Sequence, residues 1–129
     1  MNIPTRTAAF ADIVERAANN MNPNNWCQRK SLVIKSGAQV RYEYDLQNDP
    51  DKALMCATTH IARAAGYKNL RTAVSSRFFT NLNALWRKFK SNYTEWCGIE
   101  TENDKNSTTV YSMRSSLIEF SKWLREGGK

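Results

Sequence analysis

Eight apolar residues recur at helical spacing through the middle of the chain: Leu70, Val74, Phe78, Leu82, Leu85, Phe89, Tyr93 and Trp96. Steps of three and four keep such positions on one face of an α-helix. The stripe predicts one long helix from about Leu70 to about Trp96, with that face in the core. Trp86 and Phe79 fall beside the stripe. A helix of that length needs partners for its apolar face, and the rest of the chain supplies them.

Thr5 to Asn20 predicts a helix with Phe10, Ile13, Val14 and Ala17 on one face. Thr5 or Thr7 can cap its start, and Asn19-Asn20 can end it. The following NNMNPNNW reads as a polar turn region. Ser31 to Asp45 predicts a β-hairpin: Leu32-Val33-Ile34, a turn at Gly37, then Val40, Tyr42 and Tyr44 alternating with Arg41 and Glu43. Asp49-Pro50 is a helix start, and Leu54, Ala57, Ile61 and Ala65 keep the spacing, so a helix is expected from Pro50 to Ala65 with Gly66 as its C-terminal cap. Asn69 can cap the helix that follows. Gly98 to Ser107 reads as a loop. Thr108 or Thr109 can cap a last helix with Val110, Met113, Leu117, Phe120 and Leu124 on one face, and Gly127-Gly128-Lys129 is expected to fray. The expected fold is α+β and helix-dominant, with about four helices and one small β-hairpin, in a single domain covering residues 1–129.

Several function classes lose support. No stretch approaches the ~18 continuous apolar residues of a membrane span. The first residues have no apolar block after a basic end, with acids already at Asp12 and Glu15, so no secretory signal is read and a cytoplasmic protein is expected. Cys27, Cys56 and Cys97 are odd in number and widely spaced, which favours reduced, structural thiols over disulfides or zinc. The single histidine, His60, reads as a surface or satisfied polar residue. No nucleophile elbow, phosphate loop or carboxylate pair is present, so no enzyme, metal or cofactor is expected.

Charge is more informative. Nineteen basic residues against twelve acidic give a net charge of +7, which favours polyanionic partners. Thr58 to Val74, TTHIARAAGYKNLRTAV, reads as a helix, a tight turn at Gly66 and a second helix after Asn69. Small alanines before the glycine let two helices approach closely, the logic of a helix-turn-helix whose second helix enters the major groove. The generic pattern fails in its second half, where Thr72 holds an expected apolar position.

Gly66, Tyr67, Asn69, Ala73 and Val74 give this stretch a second likeness. It resembles the core of the BRO-N domains of phage antirepressors and large DNA viruses. His60 departs from that family's usual Asp, Ala65 from its Leu and Leu70 from its frequent Pro, and the likeness ends at Val74. The resemblance implies DNA binding or viral regulation, and it would put Ala53 to Cys56 in a strand rather than a helix.

The candidate nucleic-acid-binding residues are Arg63, Lys68, Asn69, Arg71, Arg77, Arg87, Lys88 and Lys90. Lys68 and Arg71 sit where a helix start would offer free N–H groups to phosphate and side chains to base edges. Two readings stay open, besides a plain solvated basic face. The first is a small basic DNA-binding transcription regulator, plausibly phage- or plasmid-borne, with a homodimer compatible. The second is a protein-interaction module, an inhibitor or adaptor that docks through an aromatic-rich helical face. Single-stranded nucleic acid, stacked on aromatics such as Trp86, Phe79 or Trp123, would use the same charges.

Overall fold

The computed structural model describes residues 5–37, 41–92 and 98–128. Helix dominates: α1 Thr5–Asn20, α2 Ala57–Ala64, α3 Leu70–Val74, α4 Phe78–Lys90, α5 Ile99–Asn103 and α6 Val110–Arg125, with strands β1 Leu32–Ile34 and β2 Ala53–Met55. The two strands form one small antiparallel sheet, pairing Leu32 with Met55, Val33 with Leu54 and Ile34 with Ala53.

α1 and α6 follow their apolar periods closely. Phe10, Val14 and Ala17 are buried on α1, as are Val110, Met113, Leu117, Phe120 and Leu124 on α6. Thr109 caps α6 by accepting from the Ser112 backbone N–H at 3.0 Å, while the Thr109 N–H donates to Ser112 Oγ. These two helices, with α2, α4 and α5, enclose the main core, and Trp86 packs edge-on to Phe120 at its centre. Gly127 and Gly128 do not fray. Both adopt positive φ and donate to the carbonyls of Leu124 and Trp123, closing the end of α6.

The middle of the chain departs from the expected elements. The helix expected over Pro50–Ala65 is divided: Asp49-Pro50 starts a single 3-10 turn, Ala53–Met55 is a strand, and only Ala57–Ala64 is helical. Hydrogen bonds on both sides explain the strand. β1 pairs along one edge; on the other, Met55 N–H donates to Asn25 O and Cys27 N–H to Met55 O. These long-range bonds outweigh the helical spacing of Leu54 and Ala57.

The expected hairpin keeps its first strand and the Gly37 turn, but its second half is corrected. Residues 41–44 form a turn, and β1 takes β2 as its partner instead. Val40 lies outside the described residues. Tyr42 and Tyr44 do not line one sheet face: Tyr42 is exposed, while Tyr44 packs on a second, smaller core of Leu32, Leu46, Ala53, Met55, Ala62, Leu70 and Ala73.

The long stripe is also interrupted. α3 ends at Val74 and α4 begins at Phe78. Ser75 and Ser76 turn their hydroxyls back onto the carbonyls of Thr72 and Ala73, a bonding pattern that competes with helix continuation. Leu70 and Leu82 are buried and Phe78, Leu85 and Phe89 partly so, but Val74 is exposed; Tyr93 and Trp96 lie outside the described residues. The expected 98–107 loop contains α5, whose Asn103 is fully buried. Its Oδ1 accepts from Trp26 Nε1 and Ala57 N–H, and its Nδ2 donates to Cys27 O, tying three segments together.

Candidate nucleic-acid interface

The turn between α2 and α3 is held from both sides. Gly66 takes φ +91, a conformation other residues reach only with strain, and its N–H donates to Arg63 O. The 45–47 segment clamps the outside: Leu46 N–H donates to Lys68 O at 2.7 Å, and Gln47 Nε2 donates to the carbonyls of Arg63 and Tyr67. Asn69 is the cap of α3, accepting from Thr72 N–H at 3.0 Å. Its structural task is therefore met within the chain.

Lys68 and Arg71 project from this turn, with side chains 75% and 69% exposed. Each faces an acid from the 41–45 turn: Lys68 Nζ lies 3.3 Å from Asp45 Oδ2, and Arg71 pairs with Glu43. The Asp45 carboxyl is held below its ordinary pKa mainly by the Gln47 backbone N–H, with Lys68 adding to it. Such exposed pairs are weak because water screens both charges, so an incoming phosphate can exchange for either acid. The free N–H groups expected at the start of α3 are not free, because Thr72 N–H is taken by Asn69 and Arg71 N–H donates to Tyr42 O. The five-residue α3 offers side chains, not a helix-dipole anion site.

The other candidate residues divide between α2 and the two ends of α4. Arg77 is exposed at the start of α4, and no ion pair engages it among the described residues. Arg63 lies in the last turn of α2, with its Nε buried and no partner there among the described residues. Arg63 joins Lys68 and Arg71 at the turn, while Arg77 follows beyond the other end of α3. Arg87, Lys88 and Lys90 sit in the last turn of α4, about 15–20 Å along the helix from Arg77. There they complement the helix dipole, and Lys90 lies over the Trp86 ring and 3.9 Å from Glu102. The candidates therefore divide into Arg63, Lys68, Asn69 and Arg71 at the turn, Arg77 at the start of α4, and Arg87, Lys88 and Lys90 at its far end.

Aromatic stacking loses its main candidate. Trp86 is 2% exposed in the core, while Phe79 and Trp123 are half-buried against it. His60 is buried and accounted for: Nε2 is 2.8 Å from Asn25 O, and burial pushes its pKa down to about 4, so the ring is neutral and donates to that carbonyl. Cys27 and Cys56 are free thiols. Burial pushes Cys27 up to about 12 and raises Cys56 as well, so both are inert at neutral pH. Cys97 lies outside the described residues.

Among the described residues, no group of three or more His, Cys, Asp or Glu residues is placed to hold a metal ion, and no helix is long and apolar enough to cross a membrane. Comparison with known protein families, with curated proteins and with solved structures finds no match to this chain.

Proposed function

We propose that this chain is a small cytoplasmic DNA-binding regulator that meets duplex DNA with the α2–α3 turn. The observation that carries this reading is the exposed pair Lys68 and Arg71 on a clamped turn, with exposed Arg77 following at the other end of α3, in a chain of net charge +7. A fixed turn spares the backbone any ordering at the moment of binding, leaving only the Lys68 and Arg71 side chains to exchange Asp45 and Glu43 for phosphate. The strand at Ala53–Met55 is consistent with the BRO-N resemblance, which implies a strand there and a phage or viral regulatory role. Because α3 is short, the contacts are phosphate-led, with Arg71 the side chain best placed to reach a base edge.

A second reading is a protein-interaction module. Tyr42 and Val74, 58% and 65% exposed, flank α3 on the same part of the surface. Exposed apolar residues of this size favour a protein partner.

A titration against mixed-sequence duplex and single-stranded DNA at two salt concentrations separates the readings. Phosphate-led binding to duplex should weaken steeply between about 50 and 200 mM salt. Absence of duplex binding at the lower salt removes the DNA reading and leaves the interaction module.

A further inference from the structure

α3 borders a groove of about 260 Å³, lined by residues of α2, α3, α4 and the first turn of α5 together with Ser31 and Cys56. Ala62, Leu70, Ala73 and Phe79 give it an apolar floor, and Val74 stands exposed at its rim. Two polar features distinguish it from a packing defect. Thr58, on its wall, has a buried hydroxyl with no hydrogen-bond partner among the described residues. Buried hydroxyls are normally paired, so an orphan marks an unfinished environment. Glu100, at its edge, enters no ion pair among the described residues, whereas Glu102 on the same helix engages both Lys90 and Lys105. Glu100 is exposed, and its charge at the edge of an apolar floor is available to an incoming cation.

We propose that this groove binds a small amphipathic cation, an aryl- or alkyl-ammonium ion, with its apolar body on Leu70, Ala73 and Phe79 and its ammonium at Glu100. The volume lies just below the ~300–1,000 Å³ range of drug-sized sites, which suits one ring system with a short arm. Glu100 selects the charge: it attracts an ammonium, leaves a neutral alcohol unrewarded and repels a carboxylate. The apolar floor selects against small hydrophilic cations such as Na⁺. This inference is independent of the DNA reading, because it uses none of Lys68, Arg71 and Arg77 and needs no nucleic acid.

The test is a ¹⁵N-correlation titration of the full chain with tryptamine, tryptophol and indole-3-propionate, with no nucleic acid present. Tryptamine should give saturable shifts centred on Ala62, Ala73, Phe79 and Glu100. Tryptophol should bind at least about fivefold more weakly, and Glu100→Gln should bring tryptamine down to the level of tryptophol. Indole-3-propionate should bind least. Equal affinity for tryptamine and tryptophol, an unchanged tryptamine affinity in the Glu100→Gln protein, or no saturable shift up to about 10 mM would each overturn the proposal.

Discussion

The α1–α6 helix pair and the segment from Leu32 to Arg77 are held together differently. α1 and α6 close their apolar faces on each other and on the main core, and Arg125 reaches back to Asp12 and Glu15 at 2.8 and 2.7 Å. Within the middle segment, α2 reaches the main core through Ala57 and Ile61, whereas β1, β2, Leu46 and α3 rest on the smaller core and are stitched by single bonds between distant residues: Leu46 to Lys68, Met55 to Asn25, Arg71 to Tyr42. The segment also keeps Tyr42 and Val74 in solvent and carries both the basic turn and much of the groove. The basic turn and much of the groove thus lie where buried apolar support is thinner than between α1 and α6, and where local opening costs less.

Core truncations sharpen this comparison most. Phe120→Ala, in the main core, should cost about 3–5 kcal/mol in a denaturant melt, and Leu46→Ala, in the smaller one, about 2–3 kcal/mol. Hydrogen exchange on the Leu46→Ala protein should show faster exchange concentrated in β1, β2 and residues 66–74, with α2 less affected because Ala57 and Ile61 reach the main core. Uniform acceleration across α1 and α6 would break the distinction and make the two cores one cooperative unit.

His60 joins the two regions, since it lies on α2 and bonds the segment that pairs with β2. Folding lowers its pKa from 6.5 to about 4, so the neutral ring's stabilisation is complete above about pH 6.5 and is lost as pH falls toward 4. That loss should amount to roughly 3 kcal/mol. In melts from pH 7 to 4, His60→Gln should be less pH-sensitive than the unmodified chain; equal slopes would assign the acid sensitivity to carboxylates.

A smaller effect is expected at the turn. Gly66→Ala meets no neighbouring atom, so its cost is the positive φ alone, about 1 kcal/mol. A cost above about 3 kcal/mol in the same melt would mean that the turn is integral to the main core.

Legibility follows the same division. α1 and α6 could be read from apolar spacing and caps because those signals are local, as could the Gly66 turn and the Asn69 cap. β2 could not, because Ala53–Met55 is extended by partners some twenty or more residues away. The break after Val74 did leave a signal, the Ser75-Ser76 pair, which the continuous apolar stripe masked. At the site, Lys68, Arg71 and Arg77 were visible as charges; their pairing with Asp45 and Glu43 was not, since it depends on how the 41–45 turn folds back. The Asn103 hub was hidden for the same reason: an asparagine in a polar stretch looks like loop until its partners are known.

The central claim is that the basic turn, not the general charge, meets DNA. The most direct test is duplex affinity at low salt for two triple variants, Lys68→Ala/Arg71→Ala/Arg77→Ala and Arg87→Ala/Lys88→Ala/Lys90→Ala, each removing three positive charges. The account predicts a loss of at least about tenfold for the turn variant, as expected for contacts worth about 1–3 kcal/mol, and no more than a few-fold loss for the helix-end variant. Equal losses, or a larger loss from the α4 end, would contradict it.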